Sequence, residues 1–212
     1  MNVNLHILNS SGLLSSVTKQ IEDEFAKSLI KISNKLPISD VDVAIYNNPR
    51  GIIPEVGIGG YAPNEHLVFV YLDSKFPNIK RVIREQLKRT LAHELHHCLR
   101  WRDPGYGKTL LESLVTEGLA DHFDLEVNSG NPEPWCTALN VEEIVAFSKR
   151  AKIEYDNKNY DHRAWFFGST EKGLPRWTGY ALGFKLVENY LKINPAQKAS
   201  ELCAVKAEEF IK

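Results

Sequence analysis

Five consecutive residues, "HELHH" at 93–97, hold three of the chain's seven histidines together with a glutamate. The surrounding "TLAHELHHCLR" (90–100) reads as a helix, so His93 and His97, four apart, share one face about a turn from each other. Glu94 projects about 100° round from His93. This is the H-E-x-x-H pattern. Two neutral imidazoles suit zinc, and a glutamate kept off the metal takes a proton from water and passes it on. Zinc lowers the pKa of its bound water towards roughly 7, so the expected nucleophile is a zinc-bound water activated by Glu94. Catalytic zinc takes three protein ligands and leaves one position open, so a third must come from elsewhere. "LLESLVTEGLADHF" offers Glu117, with nineteen residues between it and His97. The turn-rich "RDPGYGK" lets a second helix fold back with its carboxylate towards the histidine pair. Asp121, four residues on and on the same face, is spaced to accept the N–H of a zinc-bound histidine and fix its tautomer. Gly118, beside Glu117, permits close approach of another element.

The elements that must position these groups follow from periodicity. "NLHIL" reads as a strand, and "LSSVTKQIEDEFAKSLIKIS" as a helix with Val17, Ile21, Phe25 and Leu29 on one face. "VDVAIYN" alternates like a strand, and "RGIIPEVGIGGYAPNE" reads as loop with short extended pieces. "HLVFVYLDS" is the strongest strand, apolar on both parities and so expected to be well covered. Helices are expected over 78–101, 109–127, 140–155, 177–193 and 196–211, with the aromatic-rich loop "NYDHRAWFFGSTEKGLPRW" before the fourth. Strands in the first third and helices afterwards make an α+β plan. The expected arrangement is a single domain over 1–212, with a β-containing part (1–105) that carries the HExxH helix and a helical part (106–212).

Composition narrows the functional classes. At 212 residues, 43% hydrophobic and 25% charged, the chain can form one well-packed domain. A formal net charge of −1 gives no electrostatic footprint for nucleic acid or an anionic membrane. No apolar run reaches the roughly 18 residues of a spanning helix, and "MNVNLHILNSSGLLSS" lacks the basic and apolar regions of a secretory signal. Three scattered cysteines (Cys98, Cys136, Cys203) suit a reducing compartment. The expectation is a cytoplasmic protein with neither a nucleic-acid nor a membrane partner.

"HELHH", the nineteen-residue gap and "EGLAD" together resemble the gluzincin group of metallopeptidases, of which thermolysin is the familiar member. More narrowly, "GIGGYAP…HLVFVYLD", the HExxH helix, "ESLVTEGLADHF" and "LPRWTGYALGFKLVENYL" resemble the YjaZ-like family of predicted Zn-dependent proteases, over about residues 50 to 195. The resemblance implies His93, His97 and Glu117 as zinc ligands, Glu94 as general base and Asp121 as the holder of a zinc histidine. It also implies a zincin-like fold, a small twisted sheet packed on the active-site helix with a mostly helical lower part.

A metzincin-type HExxHxxGxxH continuation would need glycine where Arg100 stands, and its terminal position is Asp103, better read as turn chemistry in "DPG". His96 is expected to pack on the flank of the site, and Cys98 to be a small buried residue. His122, His6 and His66 read as structural histidines. Zinc hydrolases need a donor for the developing oxyanion, and His162, Arg176 and Tyr180 all follow the glutamate helix. Tyr180 is the choice, because "RWTGYALG" flanks it with two glycines; a core tyrosine would read alike. Gly59, Gly60 and Tyr61 precede the strongest strand and are candidates for an edge that pairs with an extended substrate, although two glycines in a tight turn would look the same. Trp165–Phe167 and Trp177 either shape a pocket or cap the core. The expected activity is zinc-dependent hydrolysis of peptide bonds. The alternatives are a non-catalytic zincin-like binding module and a zinc hydrolase of a non-peptide amide or ester.

Overall fold

The computed structural model describes residues 2–212, in two units that meet between Arg102 and Asp103 in the chain. In the first, the alternation noted in the sequence becomes β1 (Val3–Leu8), β2 (Val41–Asn47), β3 (Ile58–Asn64) and β4 (Leu67–Leu72), with helices α1 (Thr18–Ser33) and α2 (Ile79–Arg102). The sheet order is β1-β2-β4-β3. β1, β2 and β4 run parallel, and β3 is an edge strand antiparallel to β4. α1 is the crossover that a parallel β1–β2 pair requires. One face of the sheet is apolar: Val41, Val43, Ile45, Val68, Val70 and Leu72 are all at most 1% exposed.

The structure corrects several sequence expectations. β4 is buried on one parity only; Phe69 and Tyr71 on the other are half-buried and pack with Tyr46, the tyrosine rings edge-on at 5.4 Å. The α1 stripe runs through Ile21, Phe25, Ser28 and Ile32, with Leu29 only half-buried, because a 3.6-residue period steps by three as well as four. The segment read as loop with extended pieces contains all of β3. Its two glycines are poor strand formers, and pairing with β4 overrides that local preference.

The second unit consists of α3 (Leu110–Asn128), α4 (Val141–Glu154), α5 (His162–Phe167) and α6 (Thr178–Ile193), with 3-10 turns at Pro134–Thr137, Ala199–Glu201 and Ala207–Ile211. α3 starts at a capping box: Thr109 accepts from the Glu112 amide, and Glu112 accepts from the Thr109 amide. Gly118 gives up roughly 1 kcal/mol of helix propensity mid-helix. In exchange α3 comes within backbone contact of α6, where a Cβ on Gly118 would sit 2.5 Å from the Gly183 carbonyl carbon. The core of this unit gathers Leu110, Leu114, Trp165, Phe166, Leu174 and Leu182. α5 lies inside the segment expected to be an aromatic-rich loop, capped by Asp161, which accepts from the Ala164 amide (2.9 Å), and closed by Gly168 at φ 88°. The helix expected over 196–211 is two 3-10 turns instead. The Glu126 carboxylate takes the Ser200 amide and hydroxyl (3.0 and 2.9 Å), and this contact with α3 competes with continuous helix. Among the described residues no helix is long and apolar enough to cross a membrane.

Candidate metal centre

α2 carries His93, Glu94 and His97 in the expected spacing. The two Nε2 atoms lie 2.9 Å apart, with the rings edge-on at 89° and centroids 4.5 Å apart. His97 is 3% exposed and Glu94 7%. The face of α2 one step round, Glu94, Cys98 and Trp101, meets β3. Gly60 has no side chain because Glu94 occupies its place: a Cβ there would lie 2.6 Å from Glu94 Cγ. The β3–β4 register shifts between Tyr61 and Asn64, and α2 supplies donors to carbonyls of that irregular stretch. Trp101 Nε1 donates to the Ala62 oxygen at 2.9 Å, and Cys98 Sγ donates to the Asn64 oxygen at 3.6 Å. Burial pushes the Cys98 thiol up to about 12, so it stays protonated near neutral pH. His96 is fully buried.

Gly59 and Gly60 differ in surroundings, and neither forms a tight turn. Gly59 packs on the Gly51 backbone, and Ile53 bridges to Ile58, so loop residues 51–53 cover the start of β3. Gly60 faces Glu94, and Tyr61 is 55% exposed on the edge strand.

In the second unit, α3 holds Glu117 and Asp121 one turn apart, 4% and 3% exposed. Tyr106 donates its hydroxyl to Glu117 Oε1, and Thr116 Oγ1 donates to the Tyr106 carbonyl at 2.5 Å. Asp121 Oδ1 accepts from Trp135 Nε1 at 2.9 Å. One turn before Glu117, Ser113 begins a short polar chain. The Tyr160 hydroxyl lies 2.6 Å from Ser113 Oγ and 2.8 Å from His162 Nδ1. The phenol has one proton, so it donates to one of these and accepts from the other. Burial depresses the His162 pKa and raises that of Tyr160, so the chain is uncharged near neutral pH. Tyr180 is half-buried with its ring edge-on to Phe166 at 5.0 Å and Phe167 at 6.5 Å. The Arg176 guanidinium stacks over Trp177 at 3.9 Å. Trp165 and Phe166 are core residues, whereas Phe167 is 57% exposed. His122 Nε2 donates to the Phe184 oxygen at 3.0 Å, with the two rings stacked.

Among the described residues, the His, Cys, Asp and Glu side chains that group so as to be able to hold a metal ion are His93, His97 and Glu117. The donor set fits zinc. Two imidazoles and one carboxylate match a catalytic three-ligand set, and tetrahedral bonds of about 2.05 Å need nitrogens roughly 3.3 Å apart, close to the spacing seen. Sequence reasoning missed Tyr106, Trp135, Ser113 and Tyr160. Only Tyr106 carried a signal, an aromatic residue between two glycines immediately before the glutamate helix.

The chain belongs to the family described as "Predicted Zn-dependent protease (DUF2268)", whose profile matches residues 17–212. Among curated proteins it is similar to "Uncharacterized protein YjaZ" of Bacillus subtilis (strain 168), 30% identical over 129 residues. The matched stretch is 57% of this chain and 48% of that protein, so the chain spans about half the length of this relative. No solved structure matches the chain.

Proposed function

We propose that this protein is a zinc-dependent peptidase of gluzincin type with a zincin-like fold, in which His93, His97 and Glu117 bind one zinc ion. The observation that carries the reading is the α2 arrangement: two histidine Nε2 atoms aimed at each other at 2.9 Å with the buried Glu94 beside them. The family description supports the same chemistry. Zinc in such a set supplies Lewis acidity, acidifying water and polarising a carbonyl. Glu94 is the general base: it takes the proton from the attacking water and returns it to the leaving amine. Its carboxylate is held off the ligand face of α2 by the packing against Gly60, which suits a proton carrier better than a ligand. Asp121 orients a zinc histidine through an imidazole N–H. Tyr180 donates to the developing oxyanion. His162 is the alternative donor, because its hydrogen-bonded chain with Tyr160 and Ser113 begins one turn from Glu117. When Tyr160 donates to His162 Nδ1, the histidine proton sits on Nε2 and can be given to an oxyanion.

An extended peptide pairs with the edge strand β3. The open stretch starts at Gly60 and Tyr61, since loop residues 51–53 already cover Ile58 and Gly59. The test is a quenched-fluorescence peptide library read with and without a zinc chelator. Chelator-sensitive cleavage that returns when zinc is restored is the expected result. A zinc-replete, folded protein that cleaves none of the library but retains a protein partner would support the binding-module reading instead. Cleavage confined to ester or non-peptide amide probes would move the substrate class.

A further inference from the structure

We propose that Tyr106 is a positioning residue for Glu117, holding one carboxylate oxygen so that the other is presented to the metal in a fixed orientation. The inference rests on the reading of Glu117 as a zinc ligand. Tyr106 sits between Gly105 at φ 109° and Gly107 at φ 137°, backbone angles that side chains rarely adopt. A Cβ on Gly107 would lie 2.9 Å from Glu112 Cβ and 3.0 Å from the Ser113 nitrogen, so the chain folds tightly onto the start of α3. The amides of Lys108 and Thr109 both donate to Glu112 Oε2, at 2.7 and 2.8 Å, which fastens the turn.

Two consecutive α3 residues then grip Tyr106 from opposite ends. Thr116, fully buried, donates to its backbone carbonyl, and Glu117 accepts from its phenol. A glutamate side chain has three rotatable bonds, and immobilising it costs binding free energy unless it is held in advance. A phenol is a suitable holder. It satisfies a buried oxygen without bringing a positive charge, so the carboxylate keeps its full charge for a cation. An arginine or lysine in the same place would compete with the metal for that charge.

The experiment is a competition titration of the whole chain with zinc against a chromophoric chelator, for wild type, Tyr106→Phe, Thr116→Val and Glu117→Ala. Melting of the metal-free proteins is followed alongside. Tyr106→Phe is expected to weaken zinc roughly 10–100-fold, the usual cost of removing a partner of a ligand. Its cobalt-substituted form is expected to show an altered visible spectrum, because the ligand's orientation changes and not only its affinity. Thr116→Val is expected to give a smaller loss in the same direction. Wild-type zinc affinity in Glu117→Ala would remove the ligand reading itself. If Glu117→Ala loses zinc while Tyr106→Phe keeps wild-type affinity and cobalt spectrum, the positioning role is overturned. Should Tyr106→Phe fail to fold, Thr116→Val decides: weaker zinc at an unchanged metal-free melting temperature sustains the inference, and wild-type affinity overturns it.

Discussion

The segment around His93 and the segment around Glu117 are built on different plans. On α2, three chemically active side chains lie within five residues, and one helix turn is enough to bring two imidazole nitrogens to 2.9 Å. Their supports come from few elements: Gly60 and Ala62 belong to one edge strand, and Trp101 and Cys98 lie on the same helix as the motif. On α3 the buried carboxylates Glu117 and Asp121 stand one turn apart, and their surroundings are drawn from several separate turns and helices. Tyr106 comes from the preceding turn, Trp135 holds Asp121 from a 3-10 turn, and Tyr160 and His162 come from the α5 region. The first plan depends on helical geometry. The second depends on tertiary packing, including the glycine-on-glycine contact of α3 with α6.

If that contrast is right, substitutions should separate along it. The largest effect belongs to Glu94→Gln, which is expected to cut peptide hydrolysis by about 10²–10⁴-fold while one zinc per chain remains bound. Hydrolysis is read with a quenched peptide and zinc by elemental analysis. Loss of zinc from a folded Glu94→Gln protein would assign Glu94 to the ligand set instead. Next come the ligands. His93→Ala and Glu117→Ala should each weaken zinc by more than the roughly 10–100-fold expected for an outer partner, whereas Asp103→Ala should leave affinity unchanged. The reverse ranking would favour the metzincin-type scheme.

Glycines sharpen the comparison further. Gly60→Ala drives a methyl group into Glu94, and displacing a proton carrier by an ångström costs up to about 100-fold in rate, so activity should fall more than stability. Gly183→Ala meets the Leu114 carbonyl carbon at 3.0 Å, and backbone yields poorly. It should cost about 1–3 kcal/mol of folding stability, seen as a lower melting temperature. Equal activity and stability losses in both variants would erase the distinction between the two regions.

The smallest effect is a pH dependence. Burial lowers the pKa of His122 below its usual 6.5, so the folded protein binds this proton less readily than the unfolded chain. His122 therefore favours the fold fully above about pH 6.5, and that contribution is lost as pH falls below it. One proton limits the slope to about 1.4 kcal/mol per pH unit. Denaturant midpoints between pH 7 and pH 5 should fall less steeply in His122→Gln than in wild type.

The same contrast explains what could be read from the chain alone. HExxH and the helix that carries it are local, as is the alternation of β1 and β2, so spacing reveals them. β3 was hidden because its glycines lack strand propensity and its pairing is with β4. α5 was hidden because "HRAWFF" has no amphipathic period, and the carboxy-terminal turns because Glu126 competes for the Ser200 backbone. Gly118 was legible as a point of close approach, but its partner Gly183 was not. The partners of Glu117 and Asp121 sit at separations no local pattern fixes.

The most direct test of the account is anomalous scattering at the zinc edge from crystals grown with one equivalent of zinc. A single anomalous peak bounded by His93 Nε2, His97 Nε2 and a Glu117 carboxylate oxygen, with Glu94 outside bonding distance, is the predicted result. A folded, zinc-supplied protein with no peak there, or with the ion on other side chains, would contradict it.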